Sequence, residues 1–271
     1  MPNILEQIIE GVREDLADRR AAVPPREITA RLADTEPALN VREALAGGRD
    51  DEDGVKIIAE VKRKSPSKGS LSGIPDPARL ARSYAISGAS VISVLTERRR
   101  FSGSLEDLDA VRRAVSIPVL RKDFMVDEYQ FHEARAHGAD LVLLIVAALD
   151  DYQLRDYLSL TRELGMDALV EAHTEAEIHR AVDAGVGIVG INTRNLKTLE
   201  VNPAHYDDMA AHLPDDAVRV AESGVDGPGM VRSYAQQGAD AVLVREALVK
   251  HGDPEAAVRE YRRYSSAKEG L

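Results

Sequence analysis

The sequence predicts an α/β fold, a (βα)8 barrel preceded by a helical extension. Eight short apolar runs are separated by segments with helical periodicity along the 271 residues. Pairs such as Gly88-Ala89 and Gly138-Ala139 precede every second run, and they recur about every fifty residues, which indicates repeated architecture. Apolar strands that alternate with helices are typical of a parallel sheet covered by helices, and eight such units favour a closed barrel.

The chain begins with a predicted amphipathic helix from Asn3 to about Arg20. Its apolar residues, from Ile4 to Leu16, form one stripe at helical spacing. Asn3 followed by Glu6 three residues later predicts a capping box at its start, and Pro24-Pro25 ends it.

The segment between this helix and the first strand contains two weaker helical patterns, at 26–32 and 41–46. No strand candidate precedes Lys56. We therefore expect a single domain, in which residues 1–54 form an N-terminal helical extension packed on a barrel of residues 55–271.

Within the barrel, helices are predicted at 77–87, 105–115 and 127–137. A doubly wound open sheet is the alternative, but no G-x-G-x-x-G turn follows any predicted strand. The predicted strands are 57–59, 91–95, 118–120, 141–145, 168–170, 188–191, 218–221 and 241–244.

Composition excludes several classes of function. The chain has no cysteine, so disulfides, thiolate metal sites and cysteine nucleophiles are excluded. A net charge of −11 argues against nucleic acid as a partner. No apolar run approaches the ~20 residues that span a bilayer, and the N-terminus lacks a secretory pattern, so we expect no membrane partner and a cytoplasmic location.

Polar residues follow nearly every predicted strand, at the end where such barrels carry their active sites. This asymmetry predicts acid–base chemistry on an anionic substrate, held by basic groups such as Arg121 and Lys122. The polar residues are Glu60, Lys62, Lys64, Thr96, Glu97, Arg121, Lys122, Asp123, Glu171, Asn192, Arg194, Glu222, Ser223, Arg245 and Glu246.

Two groups of these residues can also be interpreted without a functional role. Glu60, Lys62 and Lys64 share one face of a strand, which is either a wall of the site or a solvated edge. Ser223-Gly224 is either a phosphate-binding turn or a simple tight turn.

The histidines do not predict a metal site. His132 and His137 are five residues apart and leave the shared helical face that a zinc motif requires. We expect His173 to be a loop histidine directed away from Glu171, and we expect no metal.

The strand-end motifs together resemble the indole-3-glycerol-phosphate synthase family over essentially the whole chain, including the extension. The resemblance implies a carbon–carbon lyase (a carboxy-lyase) of tryptophan biosynthesis that needs no cofactor. Its substrate would be a phosphorylated small molecule, 1-(2-carboxyphenylamino)-1-deoxyribulose 5-phosphate, whose indole ring closes with loss of carbon dioxide and water. The motifs are Ala59–Ser67, Thr96-Glu97, Phe101–Ser104, Leu120–Phe124, Leu169–Glu171, Gly190–Leu196 and Ala221–Gly224.

The same resemblance implies roles for individual residues. Lys122 would be the general acid and Glu171 the general base, while Lys62 would bind the substrate carboxylate. Glu60 and Asn192 would orient the reacting groups. The implied substrate-binding residues are Lys64, Ser65, Phe101, Phe124, Leu143, Arg194 and Glu222, and the phosphate-binding residues are Lys64, Ser223, Gly224, Arg245 and Glu246.

Arg245 departs from the family, which usually has glycine at this position. Its side chain could fill the phosphate pocket, turn outward or bind the phosphate itself, and we expect weaker phosphate binding than glycine would allow. This departure leaves open a phosphate-ligand-binding barrel with impaired or altered activity. A related sugar-phosphate isomerase is a separate alternative. The oligomeric state is open, with a monomer favoured.

Overall fold

The computed structural model describes residues 3–48, 54–62, 64–65, 69–70, 76–194, 201–249 and 252–266. Eight parallel strands close into a barrel, in which β1 pairs with both β4 and β10. β2 and β3 form a separate antiparallel pair. The predicted fold class and all eight predicted strands are confirmed. The strands are β1 Lys56–Val61, β2 Lys64–Ser65, β3 Gly69–Ser70, β4 Val91–Leu95, β5 Val119–Lys122, β6 Leu141–Ile145, β7 Asp167–Ala172, β8 Ile188–Ile191, β9 Val218–Ala221 and β10 Ala241–Val244.

Helices α4 to α11 alternate with the barrel strands. Several begin at a side chain that accepts a backbone N–H of the first turn, as at Asp76, Ser104 and Thr174. The three helices predicted between strands are confirmed to within one residue at each end. The helices are α1 Ile4–Ala22, α2 Pro25–Arg31, α3 Val41–Leu45, α4 Pro77–Ile86, α5 Leu105–Ala114, α6 Glu128–Ala136, α7 Asp151–Glu163, α8 Glu175–Asp183, α9 His205–Ala210, α10 Pro228–Gln236 and α11 Pro254–Ser266.

The barrel interior is a separate apolar layer. Along β1, Ile57 and Ala59 pack into the core between strands and helices, whereas Ile58 belongs to the interior cluster. Val41 and Leu45 of α3 are fully buried in that same interior cluster. The apolar interior therefore extends to α3, and the polar residues are at the opposite end, where the strands finish.

The N-terminal extension packs on the barrel through α1. The capping box of Asn3 and Glu6 is confirmed, and Ile8 and Val12 form an apolar cluster with Val126 before α6. Ile4, the first residue of the predicted apolar stripe, is 56% exposed, because the buried side of α1 begins only at Ile8. We propose that extension and barrel form one domain, which this packing supports.

No helix in the described part of the chain has the length and apolar character needed to cross a membrane.

Candidate active site

Lys122 forms the centre of a buried acid–base cluster at the mouth of the barrel. Its Nζ lies 3.2 Å from Glu222 Oε2 and 3.5 Å from Glu60 Oε2. The three side chains are at most 10% exposed. Charges buried to this extent are tolerated only when they are paired, and three strands contribute the groups that pair here.

Asn192 links a second carboxylate to this cluster. Its Nδ2 donates a hydrogen bond to Glu171 Oε1 at 3.1 Å, and its Oδ1 accepts one from Ser223 Oγ at 2.5 Å. The backbone N–H of Arg194 donates to the same Oδ1. The amide is therefore fixed on both sides, and it orients the Glu171 carboxylate toward the site.

Glu171 and Glu222 differ in the direction of their pKa shifts. Burial raises the pKa of Glu222 to about 8, and the negative charge of Glu171 adds to this effect although Lys122 opposes it. Burial also acts to raise the pKa of Glu171, but His173 and Lys122 outweigh it, and the pKa falls below its ordinary value. At neutral pH the pair therefore holds one proton, carried by Glu222.

Lys62 and two phenylalanines form the other side of the mouth. The Lys62 Nζ lies 5.2 Å from the centre of the Phe101 ring, and that ring stacks on Phe124 with centroids 6.4 Å apart. Leu143, nearly fully buried, belongs to the interior layer against which Phe124 packs. A cation beside a pair of aromatic rings is suited to an aromatic carboxylate.

Glu97 shapes the loop that carries Phe101. Its carboxylate accepts the backbone N–H groups of Arg99, Arg100 and Phe101 at 2.7–3.0 Å. Three such bonds fix the loop, so the Phe101 ring is held in place by a residue that does not face the cluster itself.

The turn after β9 is held in place by hydrogen bonds. Gly224 has φ +78°, a conformation that favours glycine, and the carbonyl of Ser223 accepts a hydrogen bond from the Tyr234 hydroxyl at 2.7 Å. Tyr234 OH also contacts Thr193 Oγ1 at 3.1 Å. The turn is thereby fixed, which is more order than a simple surface turn requires.

Arg245 extends toward the acid–base cluster. Its Nε lies 3.7 Å from Glu60 Oε1, and its Nη2 donates to the carbonyl of Glu222 at 3.4 Å. The side chain is 30% exposed. Of the three orientations considered from the sequence, the outward one does not occur.

The barrel fold thus gathers most of the predicted site residues at one end: Glu60, Lys122, Glu171, Asn192, Glu222, Ser223 and Arg245 are linked by the contacts above. Arg194 joins them through its backbone. The side chains of Lys64, Ser65 and Glu246 lie outside the described part of the structure.

Arg121 is a correction to the predicted basic pocket. Its guanidinium is fully buried and pairs with Asp123 at 3.1 Å and Glu133 at 2.9 Å. Burial would lower the pKa of Arg121, but the two carboxylates raise it. Because successive side chains of a strand point to opposite faces, Arg121 faces α6 while Lys122 faces the mouth.

His173 is a second correction, and it is the site residue that sequence reasoning missed. It does not point away from Glu171: its Nε2 lies 3.2 Å from Glu171 Oε1, and its side chain is 8% exposed. The sequence carries a signal for this contact, because His173 follows the strand two positions after Glu171, and alternation along an extended chain returns such a side chain to the same face.

Gly190 is also part of the site, through the space it leaves. It pairs with Glu171 in the β7–β8 register, and a Cβ at this position would overlap Glu222 Oε1. Because residue 190 of β8 has no side chain, there is room for the Glu222 carboxylate.

One group among the described residues could hold a metal ion. Glu175, His179 and His212 place one ligand atom each within 4.8 Å of one another. All three side chains are exposed, so burial gives no indication that an ion belongs there.

Comparisons with known proteins agree on one family. The family model described as "Indole-3-glycerol phosphate synthase" matches residues 5–261. A relative of that name from Micrococcus luteus is 60% identical over 260 residues, covering 96% of this chain and 97% of its own. One from Mycolicibacterium smegmatis is 58% identical over 255 residues, covering 94% and 92%.

Solved structures show the same fold at low sequence identity. The 3-hexulose-6-phosphate synthase of Salmonella typhimurium has a TM-score of 0.64 at 16% identity, covering 78% of this chain and 98% of its own. The thiamine phosphate pyrophosphorylase of Pyrococcus furiosus has a TM-score of 0.62 at 15% identity, covering 81% and 99%. These likenesses concern the barrel alone.

Proposed function

The chain belongs to the indole-3-glycerol phosphate synthase family, and on this basis we propose how its barrel mouth closes an indole ring. It is a carboxy-lyase of tryptophan biosynthesis. Its substrate is 1-(2-carboxyphenylamino)-1-deoxyribulose 5-phosphate, and its product is indole-3-glycerol phosphate. The observation that carries the assignment of roles is the buried Lys122, held between Glu60 and Glu222 beside a cation–aromatic wall.

Lys122 is the general acid of ring closure. As the carboxylate-bearing ring carbon attacks the ribulose carbonyl carbon, the Lys122 ammonium group donates a proton to the carbonyl oxygen, which becomes a hydroxyl group. The new carbon–carbon bond is followed by loss of carbon dioxide, whose bonding electrons restore the aromatic ring. Glu60 holds the ammonium group in position, and their separation of 3.5 Å supports this role.

Glu171 is the general base of the dehydration. It removes a proton from the carbon that joins the amine nitrogen to the former carbonyl carbon, while the hydroxyl group leaves as water with a proton from an acid of the site. The lowered pKa of Glu171 keeps it ionised for this step, and the protonated Glu222 avoids a second negative charge beside it. Asn192 keeps the Glu171 carboxylate in orientation.

Lys62, Phe101 and Phe124 bind the anthranilate part of the substrate, with Leu143 beneath it. Lys62 pairs with the carboxylate, and the two rings pack against the aromatic ring that bears it. The short distance from Lys62 to Phe101 supports this division, because a ring and its own carboxylate must be bound side by side. Lys62 can also supply the proton that leaves with water.

The phosphate binds at the turn of Ser223 and Gly224, with Arg245 at its edge. The backbone of this turn is fixed by Tyr234, which supports a role as a rigid anion cradle. We assign Lys64, Ser65 and Glu246 to the same end of the substrate on the family pattern. We further propose that the protein works in the cytoplasm as a monomer.

The test is direct. Purified protein is incubated with the carboxyphenylamino-ribulose phosphate, and the fluorescence of the indole product is followed. We expect turnover by the wild type and a loss of about 10²- to 10⁴-fold in kcat for Lys122→Ala. Equal rates for the two proteins would refute the role of Lys122, and binding without any turnover would instead favour a phosphate-ligand-binding barrel.

A further inference from the structure

His173 lies between two carboxylates next to the reacting groups. Its Nε2 is 3.2 Å from Glu171 Oε1, and its Nδ1 is 3.5 Å from Glu177 Oε2. The ring is 8% exposed, so both contacts are shielded from solvent. An imidazole in this position connects the end of β7 to the first turn of α8.

Glu177 is itself fixed, and it holds the backbone of His173 as well as the ring. Its Oε2 accepts the backbone N–H of His173 at 2.7 Å. Its own backbone N–H donates to Thr174 Oγ1, the N-cap of α8. The imidazole is therefore oriented by the start of a helix, a rigid element of the barrel.

The other end of this chain of contacts is Glu171. Its Oε1 receives both His173 Nε2 and the amide of Asn192, at 3.2 Å and 3.1 Å. Two neighbours on one oxygen restrict rotation of the carboxylate. Oε2, the second carboxylate oxygen of Glu171, is then directed to a partner other than His173 and Asn192.

We propose that His173 is a positioning residue, which orients the Glu171 carboxylate so that Oε2 accepts the proton removed in the dehydration step. This inference rests on the proposed role of Glu171. His173 keeps its own proton throughout: a proton moves from the substrate carbon to Glu171 Oε2, and the electron pair of the broken carbon–hydrogen bond forms the carbon–carbon double bond. The hydroxyl group takes a proton from Lys62 and leaves as water.

Charge supports the geometry. Burial lowers the pKa of His173, but the carboxylates of Glu171 and Glu177 outweigh it and raise the pKa to about 10. Lys122 and Glu222 act on Glu171 from across the mouth, and Arg180 acts on Glu177 from α8. At neutral pH the ring is thus an imidazolium, whose positive charge keeps Glu171 ionised.

The test uses steady-state kinetics of His173→Ala and His173→Gln over a range of pH. We expect His173→Ala to lower kcat by about 10- to 100-fold with little change in KM, because a misplaced base slows chemistry without weakening binding. His173→Gln keeps a hydrogen-bond donor without the charge. It should recover part of kcat, while the acidic limb of its kcat profile moves to higher pH because the pKa of Glu171 rises.

His137→Gln is the matched control. It removes another imidazole–carboxylate pair, His137 Nδ1 to Asp109 Oδ1 at 2.7 Å, at the C-terminal end of α6. We expect its kcat and pH profile to match the wild type. An equal loss of kcat in this control would show a general structural effect and overturn the inference.

Glu171→Gln separates this inference from the proposed function. If Glu171→Gln keeps full activity, the role of Glu171 itself fails. If Glu171→Gln is inactive but His173→Ala has wild-type kcat and an unmoved acidic limb, only the positioning role of His173 is wrong.

Discussion

Lys122 and Glu222 meet across the full width of the barrel mouth. Three strands separate β5 from β9 in either direction around the barrel, yet Nζ and Oε2 are 3.2 Å apart. The two walls are thus joined by one hydrogen bond, from Lys122 Nζ to Glu222 Oε2, at the level where the strands end. Replacing a member of this pair should therefore change the stability of the protein as well as its activity.

Glu222→Gln should change the pH dependence of stability. The pKa of Glu222 rises in the folded state from 4.5 to about 8, so the folded protein holds a proton there that the unfolded chain releases. Its contribution is fully present below pH 4.5 and is lost as pH rises toward 8. Urea unfolding of wild type and variant, from pH 5 to 6.5, should show that the free energy of unfolding falls more steeply with pH in the wild type.

The comparison is limited to pH 5–6.5, because above pH 6.5 the raised pKa of His173 also makes the free energy of unfolding fall as the pH rises. Parallel curves for wild type and Glu222→Gln between pH 5 and 6.5 would contradict the raised pKa of Glu222.

Arg121→Met should destabilise the fold by about 3–5 kcal/mol, because it removes the cation that pairs with the buried Asp123 and leaves the buried Glu133 with Arg19. Arg19→Met is the matched control. Arg19 binds the same Glu133 at 2.8 Å but is 31% exposed, so its loss should cost less. Equal urea midpoints for the two variants would show that the burial of Arg121 does not increase the loss of stability.

Arg245→Gly should lower KM for the phosphorylated substrate by roughly three- to tenfold, the equivalent of about 1 kcal/mol. The guanidinium group is engaged by Glu60 and the Glu222 carbonyl, so it narrows the space beside Ser223 and Gly224. Steady-state kinetics measure the effect, with exposed Arg259→Ala on α11 as control. A raised KM would show instead that Arg245 binds the phosphate, and an unchanged KM would show that it neither narrows the phosphate site nor binds the phosphate.

Gly190→Ala should lower both kcat and stability, the latter by about 1–3 kcal/mol, because the new Cβ displaces the Glu222 carboxylate. Gly229→Ala is the control. Among the described residues, no atom outside its own helix backbone and its chain neighbours lies within 4 Å of a Cβ at 229, so this variant should be neutral or slightly stabilising. Wild-type kinetics for Gly190→Ala would mean that the site accommodates the methyl group by moving Glu222 without consequence.

The fold was predictable because each barrel strand is buried on both faces. Runs such as Leu141–Ile145 are continuously apolar, and they contrast with the helical periodicity around them. The location of the site followed from the fold, since polar residues occur at one end of the strands. The capping box of Asn3 and Glu6 was equally local and was predicted correctly.

Contacts across the barrel were not predictable in the same way. The approach of Lys122 to Glu222 depends on closure of the barrel, which brings together residues 100 positions apart. The role of Gly190 depends on a side chain from a neighbouring strand. His173 and Arg121 are different, because the alternation of side chains along an extended chain is enough to predict the side on which each of them lies.

Val41 and Leu45 of α3 are fully buried at the end of the barrel interior opposite the mouth, so in the described part of the structure the site is reached from the mouth. Substrate must enter, and carbon dioxide, water and the indole product must leave, through the same opening. The order of departure is therefore a property of the loops around that opening. A bulky product that blocks it would slow release of the small ones, so turnover can be limited by exit even when the chemistry is fast.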